Sequence, residues 1–429
     1  MPLKRRGGKG RGLMKRSAQV SLWNGRFCRV LLFAVLCQLT MSVTNTVMPL
    51  YVVNGLHLTA TQSGLLGTVF TVASCACRFG AGGLCDRLGW RRMMMLGAAL
   101  VGGVLLLMGF TSALALLLVW KAVQGVGHAL HSTASNTAAS QVVPEARFGE
   151  GMGYYGLHSI LTNAVGPTIS LALMAVSAGG AGDNYRLPLL TAGAGGLAAV
   201  WLAASLREGG TGRPAPAERP PWSLRSFLEP RAAKPALLQG IQAISSGASI
   251  YMILFANHMG YGSVSVYYIL TAAAALGVRF LVGRRMDTIR PVTLSCVPIL
   301  LLAASYLALA WTRSEAAFLC NAVVSGLFNA LLTPTYNALA LKLSPAGRSG
   351  AASATYWLGF DLGMAVGQIV FGMIIDTNGG DSYGLSFLVA GLYLLVFCVG
   401  SSAALAGLPP LCRLENPAEE GAARRDVSK

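Results

Sequence analysis

The chain has 429 residues, 54% of them hydrophobic and only 11% charged, against roughly 25% charged in a soluble globular protein. Apolar runs of about 20 residues recur along it, each long enough to cross a bilayer as a helix, so a soluble protein is excluded. The formal net charge of +17 does not indicate nucleic acid, because the cations gather in the N-terminal tail and in alternate loops, as the positive-inside rule requires.

In chain order, the first element is a basic tail over 1–28, which holds Lys4, Arg5, Arg6, Lys9, Arg11, Lys15, Arg16 and Arg26. A full-length apolar run follows it, so it reads as a topology-setting segment touching anionic lipid rather than as a cleavable signal. Twelve spans are expected near 29–53, 62–84, 92–110, 113–141, 149–175, 187–206, 234–257, 263–283, 292–311, 315–342, 349–375 and 383–406. All should be helices, since backbone polar groups in lipid must be satisfied within the segment. The fold class is therefore an all-α membrane protein. Its parts are an N-terminal six-helix bundle over 29–206, a cytoplasmic linker over 207–233, a C-terminal six-helix bundle over 234–406 and a cytoplasmic tail over 407–429. Gly209-Gly210, Pro214, Pro216 and Pro220-Pro221 set the linker apart. Arg87, Arg91, Arg92, Arg147, Arg284, Arg285, Arg290 and Arg348 lie in loops on one side, and only Arg186 and Arg313 on the other. Both termini are thus expected in the cytoplasm, with the plasma membrane as the host bilayer. Cysteines are scattered through the spans without a ligand pair at zinc spacing, so neither a metal nor a cofactor is expected.

The two bundles repeat one another. Arg78-Phe79-x-x-Gly82-x-x-x-Asp86 returns 201 positions later as Arg279-Phe280-x-x-Gly283-x-x-x-Asp287, and matches at the same offset continue from Gly125/Gly326 to Gly166/Gly367. A period this long excludes solenoids and fits a duplicated membrane bundle with its site between the halves. After the second span stands Gly82-Gly83-Leu84-Cys85-Asp86-Arg87-Leu88-Gly89-Trp90-Arg91-Arg92, with a worn copy from Gly283 to Arg290. This stretch resembles the signature loop of the major facilitator superfamily, G-x-L-x-D-R-x-G-R-R, with Trp90 at the first basic position. The resemblance implies two pseudo-symmetric six-helix bundles and a cytoplasmic gate built from Gly82, Asp86, Arg87, Arg91, Arg92, Gly283 and Asp287. Physically, Gly82 permits close helix packing, and Asp86 can face a helix N-terminus or an Arg across the seam between the halves. Arg78 and Arg279, two turns inside their spans, either snorkel to the surface or pair across that seam.

On the fourth span Lys121, Gln124, His128, His131 and Ser135 are spaced by three, four, three and four, so they share one helical face. Polar groups stacked through a membrane helix should face a cavity, or hydrogen-bond to a neighbouring helix. The run Lys121-Ala122-Val123-Gln124-Gly125-Val126-Gly127-His128-Ala129 resembles the superfamily pattern R-x-x-Q-G-x-G-x-A, with Lys121 where Arg is usual. On the fifth span Gly153, Gly166 and Pro167 resemble part of the antiporter motif g-x8-g-x3-G-P-x-x-G-G, and Pro167 should bend that helix. The corresponding pair in the second half is Gly367-Gln368, so the motif is confined to one half, as the resemblance implies for proton-driven exporters.

Gln38 and Asn45 on the first span map onto Gln239 and Ser246 on the seventh, where Gln242 joins them. The resemblance implies that these two helices line the central cavity. Asp361 on the eleventh span lies 13 positions after Arg348, roughly 20 Å into the bilayer at 1.5 Å per residue. An intramembrane acid is a functional candidate by default; the alternative is a structural carboxylate paired with Lys121 or another helix. Tyr356 and Trp357, one turn away, offer an aromatic wall. His128, His131 and His158 read as a proton relay, a chelating set or interhelical hydrogen bonds, the last being the commonest use of membrane histidines.

No nucleotide-binding loop, Ser-His-Asp set or HExxH appears, so the expected function is not enzymatic. It is secondary active transport driven by a proton gradient, with efflux of a small amphipathic drug or metabolite ahead of uptake of a small solute. Export of a metal-chelating metabolite and a non-transporting sensor are the further alternatives. The expected partners are the lipid bilayer, protons and a small-molecule substrate, with no nucleic acid, and the protein is expected to act as a monomer.

Overall fold

The computed structural model describes residues 22–144, 148–177, 185–207, 228–282, 288–312, 314–345, 348–377 and 382–410, and these are helical with no strand among them. The N-terminal half comprises α1 (Gly25–Leu50), α2 (Ala60–Leu88), α3 (Trp90–Met108), α4 (Leu114–Val142), α5 (Phe148–Ser177) and α6 (Arg186–Ala204). The C-terminal half comprises α7 (Ala233–Ile250) with its continuation α8 (Met252–His258), α9 (Val264–Val282), α10 (Pro291–Thr312), α11 (Glu315–Lys342), α12 (Ser349–Asp376) and α13 (Tyr383–Leu405). Counting α7 and α8 as one span, the helices fall at the twelve places the apolar runs predict.

Local chemistry fixes the helix ends. Asn24 accepts from the amides of Arg26 and Phe27 (3.1 and 2.8 Å) and starts α1. Thr59 and Gln62 form a reciprocal capping box at α2. Ser314 caps α11 through the Ala317 amide, with Glu315 in the first turn. Eleven of the spans are long and apolar enough to cross a membrane by length and composition among the described residues. The helix that falls short is α4, the one carrying the polar stripe. Outward-facing side chains such as Trp311 (84% exposed) and Leu281 (80%) fit a lipid environment rather than water.

Corresponding helices break at the same height in both halves. α1 continues into a π-helical turn at Tyr51–Gly55, and α7 stops at Tyr251 before resuming as α8. Leu50 and Tyr251 are equivalent at the 201-residue offset. In the C-terminal half, Tyr251, Phe255, Tyr306, Phe318 and Phe387 form the aromatic centre of the core. That cluster also takes in Leu50, Ala60, Leu171, Met174 and Tyr185 from the N-terminal half, so one end of the seam is packed shut. α7 and α12 approach almost backbone to backbone: a Cβ on Gly363 would lie 1.9 Å from the Gly240 carbonyl oxygen, which only glycine tolerates. Near the end of the linker, Glu229 pairs with Arg348 (3.1 Å), and its amide donates to Thr355 (2.8 Å), tying the chain's return into the bilayer to the start of α12.

Candidate functional site

The seam between the halves runs along two helix pairs, α2 with α12 and α5 with α9. The first carries the chemistry. At its closed end the Asp376 carboxylate, at the last residue of α12, accepts from the backbone amides of Ala60 and Thr61, both at 2.7 Å. These are the first amides of α2 and have no partner within their own helix, and a carboxylate there is favoured by the helix dipole and by charge-assisted hydrogen bonding. The Tyr251 hydroxyl sits against the same joint, at 2.6 Å from the Gln368 carbonyl and 3.2 Å from that of Ala60. One turn further in, Thr68 donates to the Ala365 carbonyl across the seam (2.8 Å).

Further along α2 the contacts become electrostatic. Asp361 on α12 interacts with Arg78 and Cys75 on α2, and Arg78 interacts in turn with His128 and His131 on α4. α4 reaches this position because Gly125 lets it close on α2: a Cβ there would lie 2.3 Å from the Phe70 carbonyl oxygen. The His128 ring stands 5.1 Å from that of His131 and 5.6 Å from Phe70, and His131 meets Phe33 at 6.2 Å. Three buried nitrogens in this cluster have no hydrogen-bond partner: Arg78 Nε, His128 Nδ1 and His131 Nε2. A buried polar atom left unpaired costs about 1–3 kcal/mol, so each of these nitrogens is a free hydrogen-bonding site.

Arg78, His128, His131 and Asp361 are therefore in one electrostatic neighbourhood, in which Asp361 feels Arg78 without an ion pair within 4 Å. Lys121 is only 4% exposed and lies over the Phe70 ring at 5.7 Å, a cation–π contact within the N-terminal half. Gln124 is buried beside it with Oε1 unpaired. Ser135 is buried and bonded to the Tyr155 hydroxyl (2.8 Å), so it belongs to the core of the N-terminal half. His158 turns back onto its own helix, its ring hydrogen-bonded to the Tyr155 carbonyl, away from the His128–His131 pair. Tyr356 and Trp357 meet edge to face at 5.3 Å, Tyr356 being fully buried and donating to the Thr333 carbonyl (3.0 Å). Successive residues on a helix point 100° apart, which sends Tyr356 into the core and leaves half-buried Trp357 one turn from Asp361 and on its face.

On α7, Gln239 donates to Gln242 (2.9 Å) and Gln242 to Ser246 (3.0 Å), a polar file with Gln239 Oε1 unpaired. On α1, Gln38 is half-buried and Asn45 exposed. Gly166 is a packing residue: a Cβ there would lie 2.3 Å from Ser42 Oγ on α1. Pro167 is accommodated inside an uninterrupted α5. Arg91 donates to the Ala204 carbonyl (2.6 Å) at the end of α6, whereas Arg87, Arg92 and Arg279 are exposed. The side chains of Gly82 and Asp86, and all of Gly283 and Asp287, lie outside the described residues. Sequence reasoning missed Asp376. Its signal was an acid closing one span at the level where another, announced by Thr59-x-x-Gln62, begins.

The whole architecture recurs in solved structures. A mutant of the nucleoside transporter NupG matches with a TM-score of 0.72 at 11% identity, over 88% of this chain and 99% of that one. A POT family transporter in complex with 5-aminolevulinic acid gives 0.71 at 13%, over 88% and 96%. A bacterial homolog of the human lysosomal transporter Spinster, inward-facing and unoccupied, gives 0.70 at 17%, over 89% and 96%. At such identities the likeness establishes the fold. No curated protein matches in sequence. The family model described as Major Facilitator Superfamily matches residues 30–368, most of the chain and both halves of the repeat, and the protein belongs to that superfamily of membrane transporters.

Proposed function

We propose that this transporter couples a small amphipathic compound to protons by alternating access, with Asp361 as the proton carrier and Arg78, His128 and His131 as the groups that sense its charge. The observation that carries the reading is the position of Asp361: an acid on α12, across the moving seam from an arginine whose Nε is unpaired. Charge in the middle of a membrane helix is costly and is kept where it does work. With Asp361 ionised, its attraction to Arg78 holds α12 against α2. A proton on Asp361 cancels that attraction and lowers the cost of parting the halves. His158, hydrogen-bonded on α5, stands outside this centre.

The basic loops support termini in the cytoplasm; on that reading the packed end, with Asp376 on the first turn of α2, is the outer gate, and the host bilayer is the plasma membrane. The energy source is the proton gradient, without a bound cofactor, and a single copy of the chain is sufficient for the cycle. Efflux is the direction that the Gly153, Gly166 and Pro167 pattern on α5 supports. Proton-coupled uptake is supported by a different feature: a proton that releases Arg78 frees a binding group as it loads, which favours joint passage.

The test is transport by the purified protein in proteoliposomes under an imposed pH gradient, beside Asp361→Asn. The variant should still exchange substrate across the membrane at equal pH but lose its acceleration by the gradient. Gradient-driven transport by Asp361→Asn at the native rate would remove Asp361 from the mechanism.

A further inference from the structure

We propose that the substrate carries an acidic head, a carboxylate or an equivalent anion, which docks on Arg78, His128 and His131 when a proton on Asp361 withdraws the competing carboxylate. The inference rests on the proton-coupled reading above and supplies its substrate class.

The charge inventory at this depth of the seam is short. α2 presents Arg78 with the thiols Cys75 and Cys77, and α4 presents His128 and His131. Against these, α12 presents Asp361, its other seam acid, Asp376, being held about four turns away by the Ala60 and Thr61 amides. The helices packed on the other faces of α12 add no charged side chain at this depth: α7 has none between Pro235 and Ile250, and α11 none between Ala316 and Leu341. At this depth the seam thus holds one permanent cation, Arg78, and one acid, Asp361, so a proton on Asp361 leaves the guanidinium as the uncompensated charge.

The unpaired atoms point the same way. Arg78 Nε is an obligate donor, buried and without an acceptor. His131 is 4% exposed with Nε2 unpaired, and His128 Nδ1 is unpaired beside it. A planar anion satisfies a guanidinium and adjacent imidazoles together. Apolar surface for the rest of the molecule is at hand: Phe70 stands against His128, and Trp357 is one turn from Asp361. The cycle balances without another reactant. One anion binds Arg78, one proton binds the Asp361 carboxylate, both cross together, and both leave, so that Asp361 again faces Arg78. Net charge moved is zero, and direction follows the summed gradients of acid and proton.

Three probes of one shape separate the possibilities: 1-naphthoate, neutral 1-naphthamide and cationic 1-naphthylmethylammonium, titrated against the purified full-length protein with thermal stabilisation and calorimetry as readouts. Naphthoate should bind, more tightly at mildly acidic than at neutral pH, and naphthamide should bind about tenfold or more weakly, the loss expected for one charge-assisted hydrogen bond. Arg78→Gln should remove the preference for naphthoate over naphthamide. Asp361→Asn, permanently neutral, should bind naphthoate with the same affinity at both pH values. Preference for the ammonium probe, or undiminished naphthoate selectivity in Arg78→Gln, would overturn the acidic head. Arg78→Lys keeps the charge and controls for misfolding, and it should retain partial selectivity. If the ammonium is preferred while transport still needs Asp361, the coupling survives and the substrate class falls; if naphthoate binds at Arg78 but Asp361→Asn remains gradient-driven, the reverse holds.

Discussion

The two seams between the halves occupy equivalent places in the repeat, α2 with α12 on one side and α9 with α5 on the other, yet they are chemically unlike. Moving 201 positions along the chain replaces Thr68 by Ile269, Cys75 by Leu276, Asp361 by Ile160, Gln368 by Pro167 and Asp376 by Ala175. Arg78 is the exception, since its equivalent is Arg279. The first arginine is half-buried and faces an acid across the seam; the second is exposed, beside Phe280 and Leu281 that point outward. The same residue in the same slot therefore plays two parts, decided by whether the opposite helix offers a carboxylate. Duplication supplied the scaffold, and divergence of one seam supplied the switch. Among the described residues the α5–α9 seam carries no charge interaction, whereas parting α2 from α12 breaks the bonds of Asp376 to the Ala60 and Thr61 amides and, on the mechanism proposed above, awaits a proton on Asp361.

The largest expected effect is on the electrostatic interaction between Arg78 and Asp361. Arg78→Gln leaves Asp361 without its cation, and Asp361→Asn leaves Arg78 without its acid. Each should cost stability, while the double variant removes both problems at once. The non-additivity should be about 1–3 kcal/mol, read from thermal unfolding of the four proteins in detergent. Additive losses would show that Arg78 and Asp361 do not act on each other. The same cycle with Arg279→Gln in place of Arg78→Gln should show no coupling to Asp361.

Much of this architecture was legible in the sequence, because span length, the positive-inside bias and the constant offset of the repeat are each readable one residue at a time. The polar face of α4 was likewise visible from its three-and-four spacing. What the sequence withheld was which face meets which. Asp361 was open to pairing with Lys121 or with another helix, and only the approach of α2 to α4 at Gly125 shows that Arg78 stands between Asp361 and the histidines. Tyr356 and Trp357 do meet edge to face, yet a single helical step buries the first fully and leaves the second half-buried. His158 seemed to extend the histidine pair until its ring was found on its own backbone. Asp376 attracted no notice because an acid at the end of a span resembles any interfacial loop charge. Its meaning lies in the free amides of Ala60 and Thr61 on a helix of the other half.

A smaller effect is expected at that joint. Asp376→Asn keeps one acceptor but loses the anion at the start of α2, a change of about 1 kcal/mol for a carboxylate at a helix N-terminus, or roughly fivefold in the population open at this end. Hydrogen exchange of the Ala60 and Thr61 amides reads it directly, because Asp376 is the group that occupies them. Exchange should quicken several-fold in the variant; protection equal to the native protein would mean that the apolar packing of Leu171 and Met174 alone keeps the end shut.

The smallest effect is the one that isolates the lesson of the two seams. Arg279→Gln removes the repeat partner of Arg78 from an exposed position on α9, and substitutions of that kind change stability by no more than about 0.5 kcal/mol. Gradient-driven transport should stay close to the native rate, and the preference for naphthoate should be unaffected. Were Arg279→Gln to abolish coupling as Arg78→Gln does, the two seams would be working as mirror images despite their different chemistry. Ile160 could not then be the silent counterpart of Asp361, since an arginine without an opposing acid would still be controlling the cycle.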